Sequence, residues 1–209
     1  FPENEQSSIV IDAFDKGSYI KIIPSENKII GYTTRNSGGV PENFKNYFVL
    51  QFDKPFTTNY TWHDKVLEKE KLELKDDHVG AIVGFKTKKG EIVNVKVSSS
   101  FISQEQAELN LKNELGTASF KETVAESKKE WNKVLGKLTA EGGSDEQLKT
   151  FYSCLYRTAC FPQKQYEING KGEIVHYSPY NGKVLPGYMY AGTGFWDTFR
   201  ALYPLLNLG

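Results

Sequence analysis

The chain of 209 residues has only two cysteines, Cys154 and Cys160, one methionine and three histidines. Six residues apart on an expected helix, the two cysteine Cα atoms lie about 9 Å from one another, beyond the ~7 Å that a disulfide spans. They read as free thiols, and with no histidine near them in sequence, as buried sulfur rather than nucleophiles. His63, His78 and His176 are far apart. With no His-Glu-x-x-His, no Cys-x-x-Cys and no EF-hand loop, the chain offers no pre-built metal site. No run of 18 apolar residues occurs, which excludes insertion of a helix into a membrane. There is no basic and apolar leader either, so a targeting signal, if there was one, has been removed. An excess of one charge is also missing. Lys plus Arg and Asp plus Glu are 26 each, so no long-range field draws the chain to nucleic acid. Gly192-Thr193-Gly194 lacks the third glycine and the βαβ setting of a dinucleotide site, and no Gly-x-Ser-x-Gly elbow is present.

What the chain does have is aromatic: 13 Phe, 12 Tyr and 3 Trp, more rings than a core alone needs. Up to about residue 102 the pattern is that of strands. Runs at 18–23, 28–34, 47–52, 80–86 and 92–97 are rich in Ile, Val, Tyr and Phe and are separated by Pro, Gly and Asn turns. They predict an antiparallel β-sandwich, with AIVGFKT and EIVNVKV as a hairpin around Lys88-Lys89-Gly90. After residue 102 the apolar period becomes helical. Ser103–Gln106, Ser119–Glu122 and Ser144–Gln147 each fit a capping box, giving helices near 104–114, 119–138 and 144–161. The third carries Leu148, Phe151, Tyr152, Leu155, Tyr156 and Ala159 as an apolar stripe. Residues 165–177 read as a hairpin turning at Asn169-Gly170, and a last helix is expected from Asp197 to Leu208. The helices after residue 144 have little to pack on except the sandwich, as in a piece of a longer protein.

The densest cluster of chemistry is His176–Lys183 followed by the Gly-rich and aromatic stretch from Tyr188 to Arg200. Rings that lie against sugar C–H faces and a carboxylate that accepts hydroxyl protons are what a carbohydrate pocket requires. The same residues also fit a plainer role, with Asp197 or Thr193 as a helix N-cap, Trp196 as a core anchor and Asp197 paired with Arg200. Both readings stay open at the level of spacing.

The string Gly194-Phe195-Trp196-Asp197-Thr198-Phe199-Arg200-Ala201-Leu202-Tyr203-Pro204-Leu205 resembles the Trp-Asp-Thr-Phe-Arg signature of the family 92 glycoside hydrolases, which are calcium-dependent, exo-acting α-mannosidases. Asn46-Tyr47-Phe48-Val49 through Pro55-Phe56, Val95-Lys96-Val97, Ser103-Gln104-Glu105-Gln106-Ala107, Glu130-Trp131-Asn132 and Phe151 to Tyr156 are similar to the same family in the same order. The resemblance implies the later part of a β-sandwich over 1–103, a helical linker over 104–143 and the start of an (α/α)6 barrel over 144–209. It further implies removal of terminal α-mannose from glycans with inversion, as in N-glycan degradation, by an exported bacterial enzyme that needs calcium. It places Asp197 on the sugar hydroxyls, Trp196 and Phe195 as pocket walls and Arg200 as the partner of Asp197. The catalytic acid and base fall later in the family's barrel, and the calcium ligands stay unassigned. Two other classes fit less of the chain. One is a non-catalytic carbohydrate-binding sandwich using exposed rings such as Tyr60 and Trp62; the other is a different (α/α)6 glycosidase or phosphorylase.

Overall fold

The computed structural model describes residues 1–198 and 200–207, with the side chains of all of them except Asp197. The chain divides into two compact units that do not follow its linear order. The first comprises residues 1–117 and 167–187, the second 118–166 and 188–209.

The first unit is a β-sandwich. One sheet has the order β1 (Asn4–Asp12), β8 (Val79–Thr87), β5 (Thr58–His63), β6 (Val66–Glu68). The other runs β7 (Glu73–Asp76), β2 (Ser18–Ile23), β3 (Lys28–Thr33), β4 (Asn46–Phe52), β9 (Val95–Ser100). Every pairing is antiparallel. The period-two pattern explains which residues face inward: Ile20, Ile22, Ile29 and Phe52 from one sheet meet Ile11, Val79, Val83 and Phe85 from the other in a single buried core. Phe85 is closed in by the rings of Phe52 and Phe56, each 5.9 Å away between centroids. Two glycines are required by packing. A Cβ on Gly80 would collide with the Ile11 carbonyl and the Trp62 ring, and one on Gly31 with the Tyr19 carbonyl and the Phe48 ring.

The hairpin expected around Lys88-Lys89-Gly90 does not form. β8 and β9 belong to opposite sheets, and β9 pairs with β4. The turn itself is present, with Glu91 N–H donating to the Lys88 carbonyl at 3.0 Å. After it the chain crosses over: Ile92 is 68% exposed, and Asp53 accepts from the backbone and side-chain amides of Asn94 at 2.9 and 2.6 Å. Alternation fixes which face of each strand is buried but not which neighbour it pairs with. β1, β5 and β7 escaped the sequence reading because their runs are mostly polar, such as NEQSSIVID and TNYTWH, and β6 because it is only three residues long.

α1 (Gln104–Asn110) continues without a break into a π-helical turn at Leu111–Leu115. Its cap is half of the expected box. Ser103 accepts from the Gln106 amide, while the Gln106 side chain donates instead to the Asn110 side chain at 2.9 Å and the Ile168 carbonyl at 2.8 Å. The boxes on α2 (Phe120–Leu135) and α3 (Asp145–Ala159) are complete. The hairpin of β11 (Glu167–Ile168) and β12 (Ile174–Tyr177) is also present, extended by β13 (Val184–Pro186). It lies on the sandwich. The Tyr177 ring meets Phe44 at 5.9 Å, and the Glu167 carboxylate accepts from the Phe101 amide and the Asn110 side chain at 3.1 and 2.6 Å.

In the second unit, the β10 (Gln163–Lys164) strand pairs with β14 (Tyr190–Ala191). The single last helix expected from Asp197 is two short ones, α4 (Phe195–Thr198) and α5 (Leu202–Leu206). Leu208 lies outside the described residues. Cys154 and Cys160 are free as expected, but Cys154 is exposed rather than buried. Neither α2 nor α3 buries a residue, and among the described residues no helix is long and apolar enough to cross a membrane.

Candidate functional site

The segment from Phe161 to Tyr203 sets the surroundings of the Trp-Asp pair. After α3 the chain runs into β10, which β14 lines antiparallel, so that Gln165 N–H donates to the Met189 carbonyl at 2.9 Å. Gly192, at φ +84°, then turns the chain toward α4. A left-handed backbone admits glycine without a steric cost, and a side chain there would also press on the Phe161 ring.

α4 starts at Phe195, so the residue in the N-cap position is Gly194. Asp197 is the third residue of this helix and Thr193 lies before Gly194. The Thr198 hydroxyl donates back to the Gly194 carbonyl at 2.8 Å. The Phe195 ring is 80% exposed and lies 5.9 Å from that of Tyr203, and the Trp196 ring is 88% exposed. Arg200 stands in the exposed turn between the two short helices. The Asp197 carboxylate, and with it the expected pairing of Asp197 with Arg200, lies outside the described side chains. Thr193 brings one buried hydroxyl without a hydrogen-bond partner.

Sequence reasoning missed a cluster just before this turn. Tyr166 meets Tyr188 edge-on at 4.9 Å and Tyr190 at 5.7 Å, and the Lys164 ammonium is 6.0 Å from the Tyr166 ring. The Tyr190 hydroxyl is pushed above its ordinary value by its hydrogen bond with Tyr166. Tyr188 and Tyr190 were visible as an alternating pair, but Tyr166 reaches them only through the pairing of β10 with β14, which two-residue strands do not announce in a sequence.

Elsewhere the rings do less. Trp62 does not offer an exposed platform, because its indole lies over Gly80 and 5.1 Å from the His78 ring. A cleft of about 530 Å³ beside α1 is lined by Lys28, Asp53, Lys96 and Glu108, but Lys28 is already paired with Glu26 and Glu108. Glu73, Glu91, Glu105 and Glu130 are held below the ordinary carboxylate range. The causes are hydrogen bonds from Lys21, Lys54, the helix-start amide of Glu105 and Lys133 respectively. A general acid needs the opposite shift. Among the described residues no group of three or more His, Cys, Asp and Glu is placed to hold a metal ion.

The sequence of residues 1–100 matches the model of the glycosyl hydrolase family 92 N-terminal domain, and residues 106–209 match that of the family 92 catalytic domain. The chain belongs to glycoside hydrolase family 92. Its sandwich and the segment carrying Trp196 are thus parts of two family 92 domains. The family GH92 inverting mannosidase BT2199 of Bacteroides thetaiotaomicron VPI-5482 is similar at 44% identity with a TM-score of 0.95, over 99% of this chain and 28% of that one. The family GH92 alpha-mannosidase BT3965 of Bacteroides thetaiotaomicron, solved with mannoimidazole, is similar at 28% identity with a TM-score of 0.86 over the same shares. The chain therefore spans little more than a quarter of the length of these relatives. Among curated proteins, no match was found.

Proposed function

We propose that this chain is part of an exo-acting α-mannosidase that removes terminal α-linked mannose from glycans with inversion of configuration. The observation that carries this reading is the 44% identity, over nearly the whole chain, to an enzyme described as an inverting mannosidase. On this reading residues 144–209 open an (α/α)6 barrel after the linker of 104–143, and the enzyme is exported by a bacterium. Asp197 accepts hydroxyl hydrogen bonds from the mannose whose bond is cleaved, Phe195 and Trp196 wall that sugar, and Arg200 holds the Asp197 carboxylate.

An inverting reaction needs a general acid on the leaving oxygen and a general base on water, roughly 6.5 to 9.5 Å apart. On the family reading both carboxyl groups fall later in the barrel. We assign both roles to chain beyond these residues. Calcium dependence is part of the proposal for the complete enzyme; among the described residues no three of His, Cys, Asp and Glu are grouped to hold a metal ion, and no step is derived through it.

The test is hydrolysis of α-mannosides by the complete enzyme, with the product anomer followed by proton NMR. A β-mannose product and loss of rate on chelation are expected, while the chain of 209 residues alone is inactive. An α-mannose first product, or turnover by the short chain at a rate like that of the complete enzyme, overturns the reading. Asp197→Asn in the complete enzyme is expected to lower kcat/KM about ten- to a hundred-fold with an unchanged unfolding midpoint, the loss of one charge-assisted hydrogen bond.

A further inference from the structure

Tyr188 and Tyr190 have no part in the roles given to Phe195, Trp196, Asp197 and Arg200. Both stand on one side of the β10 and β14 pair, with Tyr166 between them as a buttress. They are 63% and 52% exposed. The Lys164 ammonium lies 6.0 Å from the Tyr166 ring, and Tyr166 braces both tyrosines edge-on. Rings that are immobilised before a ligand arrives lose little freedom on binding. From Tyr190 to Phe195 is five residues, at most roughly 18 Å of chain, and Gly192 turns that chain back.

We propose that Tyr188 and Tyr190 form a stacking platform for the sugar on the leaving side of the scissile bond, the residue that carries the terminal mannose. The proposal rests on the mannosidase reading. The chemistry fits a pyranose rather than a lipid or a nucleic acid. A tyrosine offers an apolar face to axial C–H bonds and a hydroxyl at its rim for the sugar's own hydroxyls. The platform acts on the leaving group and not on the mannose, so it sets preference among glycans without contributing to the cleavage step.

The complete enzyme tests this with two substrates: α-mannobiose, which has a sugar on the leaving side, and α-mannosyl fluoride, which has none. For Tyr188→Ala and Tyr190→Ala, kcat/KM on mannobiose is expected to fall about five-fold or more, mainly through KM, with the fluoride within about two-fold of wild type. Tyr188→Phe and Tyr190→Phe keep the ring and are expected to retain most of the mannobiose activity. Equal losses on both substrates, or no loss on either, overturn the platform. Where an alanine variant does not fold, Tyr→Leu at the same position keeps apolar bulk without a ring; if that variant also fails to fold, the ring is packing and the proposal is overturned. A wild-type enzyme that hydrolyses neither substrate defeats the mannosidase reading and the platform with it, whereas an active wild type with unselective variants defeats only the platform.

Discussion

The sandwich and the helical unit both carry many apolar residues, and they use them differently. In the sandwich Ile20, Ile29, Val79, Val83 and Phe85 are at most 1% exposed. In the helical unit Phe120, Val124, Phe151, Phe161 and Trp196 are all more than 35% exposed, and neither long helix buries a residue. A sheet can close its core against a second sheet of the same unit, while an amphipathic helix needs a partner along its whole stripe. Order in α2 and α3 of this chain therefore leans on local terms such as caps and the Lys129–Glu126 salt bridge, with the contact of Trp131 and Tyr156 at 4.5 Å between them. Order in the sandwich comes from burial.

The largest expected consequence is in hydrogen exchange. Amides of β2, β3 and β8 should exchange orders of magnitude more slowly than those of α2 and α3 in the chain of 209 residues. Equal protection in both regions, read by mass spectrometry after peptic digestion, breaks the comparison. Next, Phe85→Ala should cost the sandwich about 3 to 5 kcal/mol by emptying the space between Phe52 and Phe56, whereas Phe151→Ala should cost less than about 1 kcal/mol. Chemical denaturation of the two variants checks the contrast. Ser144→Ala removes a complete capping box and should cost α3 about 1 kcal/mol, visible as lost helical circular dichroism with the sandwich transition unmoved.

The smallest effect concerns pH. Burial, and then its hydrogen bond to Glu73, push the Tyr19 phenol up to about 12. A group with a raised folded-state value contributes stability below its unfolded value of about 10 and loses it as the pH climbs toward 12. Wild type should therefore lose thermal midpoint between pH 10 and 12 more steeply than Tyr19→Phe. Parallel curves would remove Tyr19 from the account.

Particular residues show how far the sequence could be read. Ser119 with Glu122 and Ser144 with Gln147 announced two helix starts, because a capping box involves only neighbours. Ser103 with Gln106 carried the same signature, but the Gln106 amide went to Ile168, a partner 62 residues on that no local pattern names. Crossing between sheets at Lys88–Asn94 failed for the same reason. At the site, the Trp-Asp-Thr-Phe-Arg string was legible as a family signature, while the role of Asp197 rests on a side chain outside those described. Tyr166 was not legible, since its relation to Tyr188 and Tyr190 depends on a strand pairing of two residues.

The return of residues 167–187 to the sandwich has a consequence for how the molecule can be divided. Strands β11, β12 and β13 reach the first unit only after the chain has left it at Thr117. A gene fragment that stops at Thr117 would encode a sandwich whose Phe44 ring lacks Tyr177 and whose Asn43 lacks the hydroxyl it accepts from and the Gly182 carbonyl it donates to. The missing stretch is a ready-made peptide with its own turns at Asn169 and Asn181. Sandwich and peptide are thus the two halves of a split protein, to be supplied together in trans.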